Sequence, residues 1–180
     1  MRVTPTAIGD VLLLEPKVFG DARGYFFESF NAREMAAAGV TATFVQDNQS
    51  RSAKNVLRGL HYQIEHPQGK LVRAISGEVL DIAVDLRRAS PTFGRWVGER
   101  LSADNKRMLW VPPGFAHGFV VLSEHAQFVY KTTDYWYPQH ERTLQWDDPA
   151  LGIDWQLDSE PVLAAKDRAG VALALAETYA

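Results

Sequence analysis

Lys70-Leu71-Val72-Arg73-Ala74-Ile75 and Val79-Leu80-Asp81-Ile82-Ala83-Val84-Asp85-Leu86 are two short runs rich in Val, Ile and Leu, parted by Ser76-Gly77-Glu78. Runs of this length and composition, bounded by turn residues, read as β-strands. The three residues between them read as a tight hairpin turn. The same pattern recurs outward in both directions, at Leu12 to Pro16, Arg58 to Ile64, Trp96 to Leu101, Arg107 to Val111, His117 to Leu122 and Ala126 to Thr133. Many short strands at close spacing predict an all-β dominated chain, folded as an antiparallel jelly-roll barrel with short flanking helices.

One flanking helix is well marked. Asn31 caps it, Glu34 stands three residues later, Ala32 to Ala38 forms an alanine-rich body, and Gly39 ends it. A second is expected from Val171 to Tyr179. No repeat, low-complexity tract or linker interrupts the 180 residues, which fit a single domain spanning 1–180. Folding a chain of this size buries roughly 70% of the unfolded surface. The chain has no cysteine, so disulfides, thiolate metal sites and a Cys nucleophile are excluded. The start, Met1-Arg2-Val3-Thr4-Pro5-Thr6, lacks the basic and apolar segments of a signal peptide, and no apolar stretch reaches the roughly 20 residues that span a bilayer. A cytoplasmic protein with no membrane partner is expected. The formal net charge of −3 argues against nucleic acid as a partner, because phosphate-backbone binding wants a basic face. It leaves room for a small anionic ligand held by a few arginines.

Five histidines are present. In a β-protein a histidine is more often structural than catalytic, so context must separate them. His66, His125 and His140 sit among turn residues and read as solvated. His61 lies in Arg58-Gly59-Leu60-His61-Tyr62-Gln63, a strand with polar neighbours on both sides. His117 lies in Pro112-Pro113-Gly114-Phe115-Ala116-His117-Gly118-Phe119, which resembles the Pro-x-Gly-x-x-His element of cupin barrels. Metal-holding cupins supply His-x-His, then Glu, then a later His. Here the first pair reads His61-Tyr62-Gln63, and the glutamate position falls in Pro67-Gln68. Two imidazoles are too few for a divalent transition metal, which wants three or more protein ligands. No metal is expected, and His61 is left free to act as a base near neutral pH.

Other segments suit an anionic, multi-hydroxyl ligand. Phe19 to Glu28 sets Arg23 and Glu28 around aromatics, which also fits a surface hairpin with a salt bridge. Gln46-Asp47-Asn48-Gln49-Ser50-Arg51-Ser52 is a dense polar run after the strand-like Ala42 to Val45, and it also fits a plain loop. Strand alternation puts Phe128, Tyr130 and Thr132 on one face. Tyr130 becomes a candidate acid if that face lines a pocket.

Taken in order, Phe-x-Asp-x-Arg-Gly-x-Phe-x-Glu (Phe19 to Glu28), Gln-Asp-Asn-x-Ser (Gln46 to Ser50), Leu-Arg-Gly-Leu-His-Tyr-Gln (Leu57 to Gln63), Pro-Gln-x-Lys-Leu-Val-Arg (Pro67 to Arg73), Ser-Pro-Thr-Phe-Gly (Ser90 to Gly94), Pro-x-Gly-Phe-Ala-His-Gly-Phe (Pro112 to Phe119) and Tyr-Lys-x-Thr-x-x-Tyr (Tyr130 to Tyr137) resemble the dTDP-4-dehydrorhamnose 3,5-epimerase family. The likeness runs from about residue 10 to residue 168. It implies a cupin-like jelly roll, a homodimer with site residues shared across the interface, and no cofactor. The implied substrate is dTDP-4-dehydro-6-deoxy-D-glucose, inverted at C3 and C5 in dTDP-L-rhamnose synthesis. On matching positions His61 is the proton acceptor, Tyr130 the donor and Asp167 the partner of the base, with Lys70 beside the sugar. Arg58 also lies beside the sugar, while Arg23, Glu28, Gln46, Asp47, Asn48, His117, Glu141 and Lys166 line the sugar-nucleotide site. Arg23 and Glu28 would serve the neighbouring subunit. The chain departs from the family pattern at Gly69, where alanine is usual, and at Ala164-Ala165, which replace Ser-Glu.

Removal of a proton next to a ketone needs a base, a stabiliser for the enolate oxygen and, for inversion, an acid on the opposite face. Because C3 and C5 both flank the C4 ketone, one set of groups serves both. Four readings stay open beside this one: an enzyme that inverts only C3 or only C5, a sugar-nucleotide 3,4-ketoisomerase on a similar barrel, a metal-dependent cupin, and a non-enzymatic sugar-binding jelly roll. Arg58 and His61 stand three residues apart, so a regular strand would point them opposite ways. If both line one pocket, either a bulge or twist is required, with Gly59 its expected place, or Arg58 reaches around the barrel rim on its long stem.

Overall fold

Residues two apart along a strand face the same way, and in Glu78–Asp85 that rule sorts the side chains between two interiors. Val79 and Ala83 join one apolar cluster, while Leu80, Ile82 and Val84 join another. The computed structural model describes residues 1–180. In chain order the elements are β1 (Arg2–Pro5), β2 (Leu12–Glu15), β3 (Phe19–Asp21), β4 (Gly24–Phe26), α1 (Ala32–Ala37), β5 (Gln46–Ala53), β6 (Leu57–Gln63), β7 (Lys70–Ser76), β8 (Glu78–Asp85), β9 (Trp96–Ser102), β10 (Met108–Val111), β11 (Phe115–Val121), β12 (His125–Thr132), β13 (Glu141–Thr143) and α2 (Ala165–Arg168). One sheet runs β1-β2-β10-β7-β12-β5 and the other β13-β6-β11-β8-β9, while β3 and β4 form a hairpin of their own. The eight strand runs expected from the sequence are present, with ends displaced by no more than two residues, but the strand-like Ala42 to Val45 is irregular and β5 begins only at Gln46. No helix is long and apolar enough to cross a membrane.

Three apolar layers follow. Val72, Val97, Leu109, Phe115, Phe119 and Phe128 come from both sheets and fill the space between them. Leu57, Leu60, Ile82, Val120 and Leu144 cover the outer face of the second sheet together with Leu151, Trp155 and Ala176 of the C-terminal segment. Leu14, Leu71 and Met108 pack beneath Met35 of α1 on the outside of the first sheet. Asn31 caps α1 by accepting from the backbone N–H groups of Arg33 and Glu34, at 3.0 and 3.3 Å.

Three further local expectations are corrected. Ser76-Gly77-Glu78 does not close a hairpin, because β7 and β8 belong to different sheets. It is a corner where the chain crosses the barrel. Gly77 sits there at φ +70, and a Cβ would collide with the His125 carbonyl. The polar run Gln46 to Ser52 is not a loop but strand β5, paired along its length with β12. Alternation explains its composition, since its exposed and less exposed residues alternate. The expected C-terminal helix is also absent. Only Leu173–Leu175 makes a 3-10 turn. The backbone N–H of Val171 donates to Thr143 and that of Tyr179 to Leu86, so the ends of this segment stitch the outer layer down instead of continuing a helix.

The expected bulge lies where the sequence placed it. Between β6 and β11, His61 faces His117 and Arg58 faces Phe119. Three steps on one strand thus match two on the other. Gly59 occupies the extra position at φ +126, with Gly118 pressed against it. A Cβ on Gly59 would lie 2.6 Å from Gly118 Cα and 2.8 Å from the His117 carbonyl oxygen. Gly59→Ala is therefore expected to lower stability by about 3 kcal/mol, from backbone strain and overpacking together. Chemical denaturation measures this, and a loss under 0.5 kcal/mol, roughly the scatter of neutral substitutions, would contradict the bulge.

Candidate active site

Residues of both sheets line a cavity of about 360 Å³, within the range of small-ligand sites. Strand β6 contributes Arg58 and His61, and β7 contributes Lys70. Strand β11 supplies His117, β12 supplies Tyr130, and β5 supplies Gln46, Asn48 and Ser50. Glu141 from β13 and Lys166 and Asp167 from α2 close the other side. The bulge at Gly59 is what lets Arg58 and His61 share this space.

His61 and Asp167 make the shortest polar contact here, with Nε2 2.6 Å from Oδ1. Asp167 is 2% exposed, and the Gly59 N–H approaches the same oxygen at 3.4 Å. Burial pushes the Asp167 carboxyl up. The hydrogen bond and charge of His61, helped by the backbone amides of Gly59 and Ala164, outweigh it and hold the group below its usual value. Burial pulls the His61 imidazole down, and Lys166 and Lys70 add to this against the pull of Asp167. The ring is therefore held neutral with Nε2–H donated to the carboxylate, and Nδ1 bears the lone pair. Ala164 provides no side-chain cap to α2, yet Asp167 is still held in place.

Lys70 is buried, with its Nζ 3.5 Å from the His61 carbonyl oxygen. Burial lowers it to about 8, against the pull of Glu141 and Asp81. Tyr130 is shifted the other way. Burial raises its phenol, Glu141 adds to the rise, and Arg58 opposes it, so the hydroxyl keeps its proton. Across the mouth Lys166 Nζ reaches both carboxylate oxygens of Glu141 at 3.1 Å. Arg58 Nε donates to Ser52 at 2.9 Å, and Gln46 donates to Asn48 at 2.9 Å. No group of three or more His, Asp or Glu side chains is gathered as a metal would require. The set combines a neutral imidazole, a protonated phenol and a cation beside one cavity.

The structure thus gathers His61, Lys70, Tyr130, Asp167, Gln46, Asn48, Arg58, His117, Glu141 and Lys166. Three expected residues lie elsewhere. Asp47 alternates onto the far face of β5, where it pairs with Lys131 at 2.9 Å. Arg23 hydrogen-bonds Asp21 at the tip of the β3–β4 hairpin, and Glu28 accepts from Asn31 at 3.2 Å. That hairpin projects from the barrel with Phe19, Tyr25 and Phe26 more than half exposed. Two residues were not singled out from the sequence. Trp136 stands at the cavity mouth. Asp81 lies wholly buried beneath His117, with both carboxylate oxygens 2.9 Å from Nε2. The signal for Asp81 was available, because alternation along β8 puts an aspartate between the inward-facing Val79 and Ala83.

Lys70 gives a test of this electrostatic picture. A lysine whose folded value lies near 8 instead of the ordinary 10.5 gives up its proton in the folded state first. The stability linked to it is present above pH 10.5 and is lost as pH falls to 8. Lys70→Met is expected to be most favoured over the parent below pH 8. Its advantage should shrink by up to about 1.4 kcal/mol per pH unit above that, as read by denaturant titrations across the range. A difference that is flat between pH 8 and 10.5 would contradict the assignment.

Comparison with known proteins is consistent in one direction. The family model described as dTDP-4-dehydrorhamnose 3,5-epimerase matches residues 5–174. The chain is 64% identical over 180 residues to the dTDP-4-dehydrorhamnose 3,5-epimerase of Pseudomonas aeruginosa, covering 99% of each. Its fold superposes with a TM-score of 0.96 on dTDP-6-deoxy-D-glucose-3,5-epimerase from Legionella pneumophila in complex with dTDP-4-keto-L-rhamnose, at 52% identity over 98% of this chain and 94% of that one. A 3'-monoepimerase from Streptomyces bikiniensis in complex with dTDP-quinovose gives 0.88 at 34% identity, over 94% and 87% of the two chains.

Proposed function

The chain belongs to the dTDP-4-dehydrorhamnose 3,5-epimerase family, and we propose that its cavity performs that epimerisation with His61 as proton acceptor and Tyr130 as proton donor. It is an isomerase that converts dTDP-4-dehydro-6-deoxy-D-glucose to dTDP-4-dehydro-L-rhamnose by inversion at C3 and C5. The observation that carries the assignment of roles is the 2.6 Å contact of His61 Nε2 with a buried Asp167. It leaves Nδ1 as the only basic atom of that ring, while burial and the nearby Lys166 and Lys70 keep the ring neutral against the pull of the carboxylate.

Nδ1 takes the proton from carbon, and the Asp167 carboxylate stabilises the imidazolium so formed. Charge moves to O4 of the sugar, where the Lys70 ammonium meets it. A preorganised cation in such a place contributes roughly 10²–10³ in rate. Tyr130 then delivers a proton to the opposite face, which inverts the carbon. Once exchange with solvent has taken the proton from His61 and restored that of Tyr130, the same groups serve the second carbon, because both carbons flank the same ketone. Gln46, Asn48, Arg58, His117, Glu141 and Lys166 hold the dTDP-sugar. Asp47, Arg23 and Glu28 do not reach this cavity within one chain. For Arg23 and Glu28 the exposed aromatic hairpin supports a homodimer in which they cross to the neighbouring site. A nucleotide-sugar substrate and a cysteine-free chain support a cytoplasmic location.

The double inversion is favoured over inversion at one carbon by the 64% identity to a 3,5-epimerase, against 34% to a 3'-monoepimerase. Incubation with dTDP-4-dehydro-6-deoxy-D-glucose in D₂O is expected to place deuterium at both C3 and C5. Label at one carbon alone would defeat the double-epimerase reading. His61→Ala should cut turnover by roughly 10²–10⁴ with dTDP affinity held within a few fold. Tyr130→Phe separates acid from base: label should still wash in, returned by His61 to the face it left, while inversion falls by a similar factor. Inversion at the parent rate in Tyr130→Phe would remove Tyr130 from the mechanism.

A further inference from the structure

We propose that Asp81 is a positioning residue that holds His117 in its Nε2–H tautomer, so that the cavity-facing Nδ1 accepts a hydrogen bond from a sugar hydroxyl and gives none to phosphate. The proposal rests on the dTDP-sugar reading above and adds which part of that ligand lies against β11.

Asp81 occupies an inward position on β8 between Val79 and Ala83 and has no exposed surface. A carboxylate there is costly unless it is hydrogen-bonded, and a single apolar residue would fill the space more cheaply. Its side chain has one hydrogen-bonding partner, His117 Nε2, equidistant from both oxygens. Burial holds the carboxyl above its usual value, and His117, with Lys70 nearby, only partly offsets this. With both of its oxygens set on the one nitrogen, the carboxylate is placed to accept from Nε2, which then carries the hydrogen. Phe128 stacks on the imidazole with the rings inclined by 19°, and this fixes the ring plane.

The other nitrogen follows by elimination. Nδ1 of His117 makes no hydrogen bond to the chain, yet no buried side-chain nitrogen or oxygen is left without a partner. It therefore opens into the cavity that His117 lines. With the hydrogen on Nε2, Nδ1 is a lone pair. A hydroxyl can donate to it, whereas an ionised phosphate oxygen, itself an acceptor, cannot. The hexose and not the diphosphate is thereby placed against His117. His61, directly opposite on β6, is turned the same way by Asp167. The cavity therefore holds two imidazoles with their lone pairs inward, one taking a proton from carbon and the other ordering a hydroxyl.

The test is ¹⁵N NMR of the full chain labelled at histidine, with the His117 signals assigned by their loss in His117→Gln. The expected spectrum at neutral pH shows a protonated Nε2 and an unprotonated Nδ1. Adding dTDP-glucose should move the Nδ1 signal in the direction of an accepted hydrogen bond, and dTDP alone should not. Asp81→Asn, whose amide can donate to Nε2, should switch the ring to Nδ1–H. It should also raise KM for the 4-keto sugar about tenfold, the cost of one lost hydrogen bond. An Nδ1–H or doubly protonated ring in the parent overturns the proposal. So does an equal shift with dTDP alone, or unchanged KM in Asp81→Asn. If Asp81→Asn does not fold, the parent spectra still decide. Deuterium exchange by the parent chain tests the epimerase reading separately, so either idea can fail without the other.

Discussion

A hydrogen bond from an imidazole to a carboxylate that water cannot reach does two things at once. It spends one ring nitrogen, and it decides where the other points. The contact between His61 Nε2 and Asp167 does this in the present chain, and the arrangement around it depends on that choice. The carboxylate stays ionised because the imidazole and two backbone amides offset its burial. The imidazole stays neutral because burial and two nearby lysines offset the carboxylate. Neither condition holds alone. Together they leave a lone pair facing the cavity, backed by a group that can stabilise positive charge once a proton arrives.

The barrel supplies the rest through alternation and one departure from it. Inward positions are apolar over most of the strands and turn polar at one end, with Lys70 on β7, His117 on β11 and Tyr130 on β12. Strand β5 carries the change furthest, with Gln46, Asn48 and Ser50 all facing the ligand space. The departure is the bulge at Gly59, without which Arg58 and His61 would face opposite sides of β6. Gly118 on the neighbouring strand leaves room for it. Specificity for a 4-keto sugar thus draws on a backbone irregularity as much as on side-chain identity.

Much of this was legible in the residues. Strand runs, the cap at Asn31 and the need for a bulge at Gly59 follow from local rules that tertiary structure did not override. His61, Tyr130 and Lys70 came from ordered motifs. What escaped did so for physical reasons. The Ser76-Gly77-Glu78 turn has hairpin chemistry, but whether two strands pair or diverge to separate sheets depends on packing far away in the chain. The polar strand β5 hid as a loop because half of its residues face the ligand cavity and the other half face solvent. The helix expected after Val171 lost to backbone bonds with Leu86 and Thr143, partners more than 25 residues distant. Asp81 was passed over although a charge set between Val79 and Ala83 breaks the apolar alternation, and a buried carboxylate implies a partner. Asp47 shows the converse, since a motif names a residue while strand geometry decides which way its side chain faces.

On the D-gluco ring the hydrogens of C3 and C5 are both axial on the same face, so a single base beneath that face reaches either. A crystal structure of the chain with dTDP-glucose bound examines this geometry directly. The account predicts His61 Nδ1 against the face bearing those two hydrogens, within about 3.5 Å of the carbons, with Nε2 still on Asp167 and the Tyr130 hydroxyl over the opposite face. A sugar with the imidazole and the phenol on the same face, or a His61 ring that has left Asp167 to present Nε2, would contradict it.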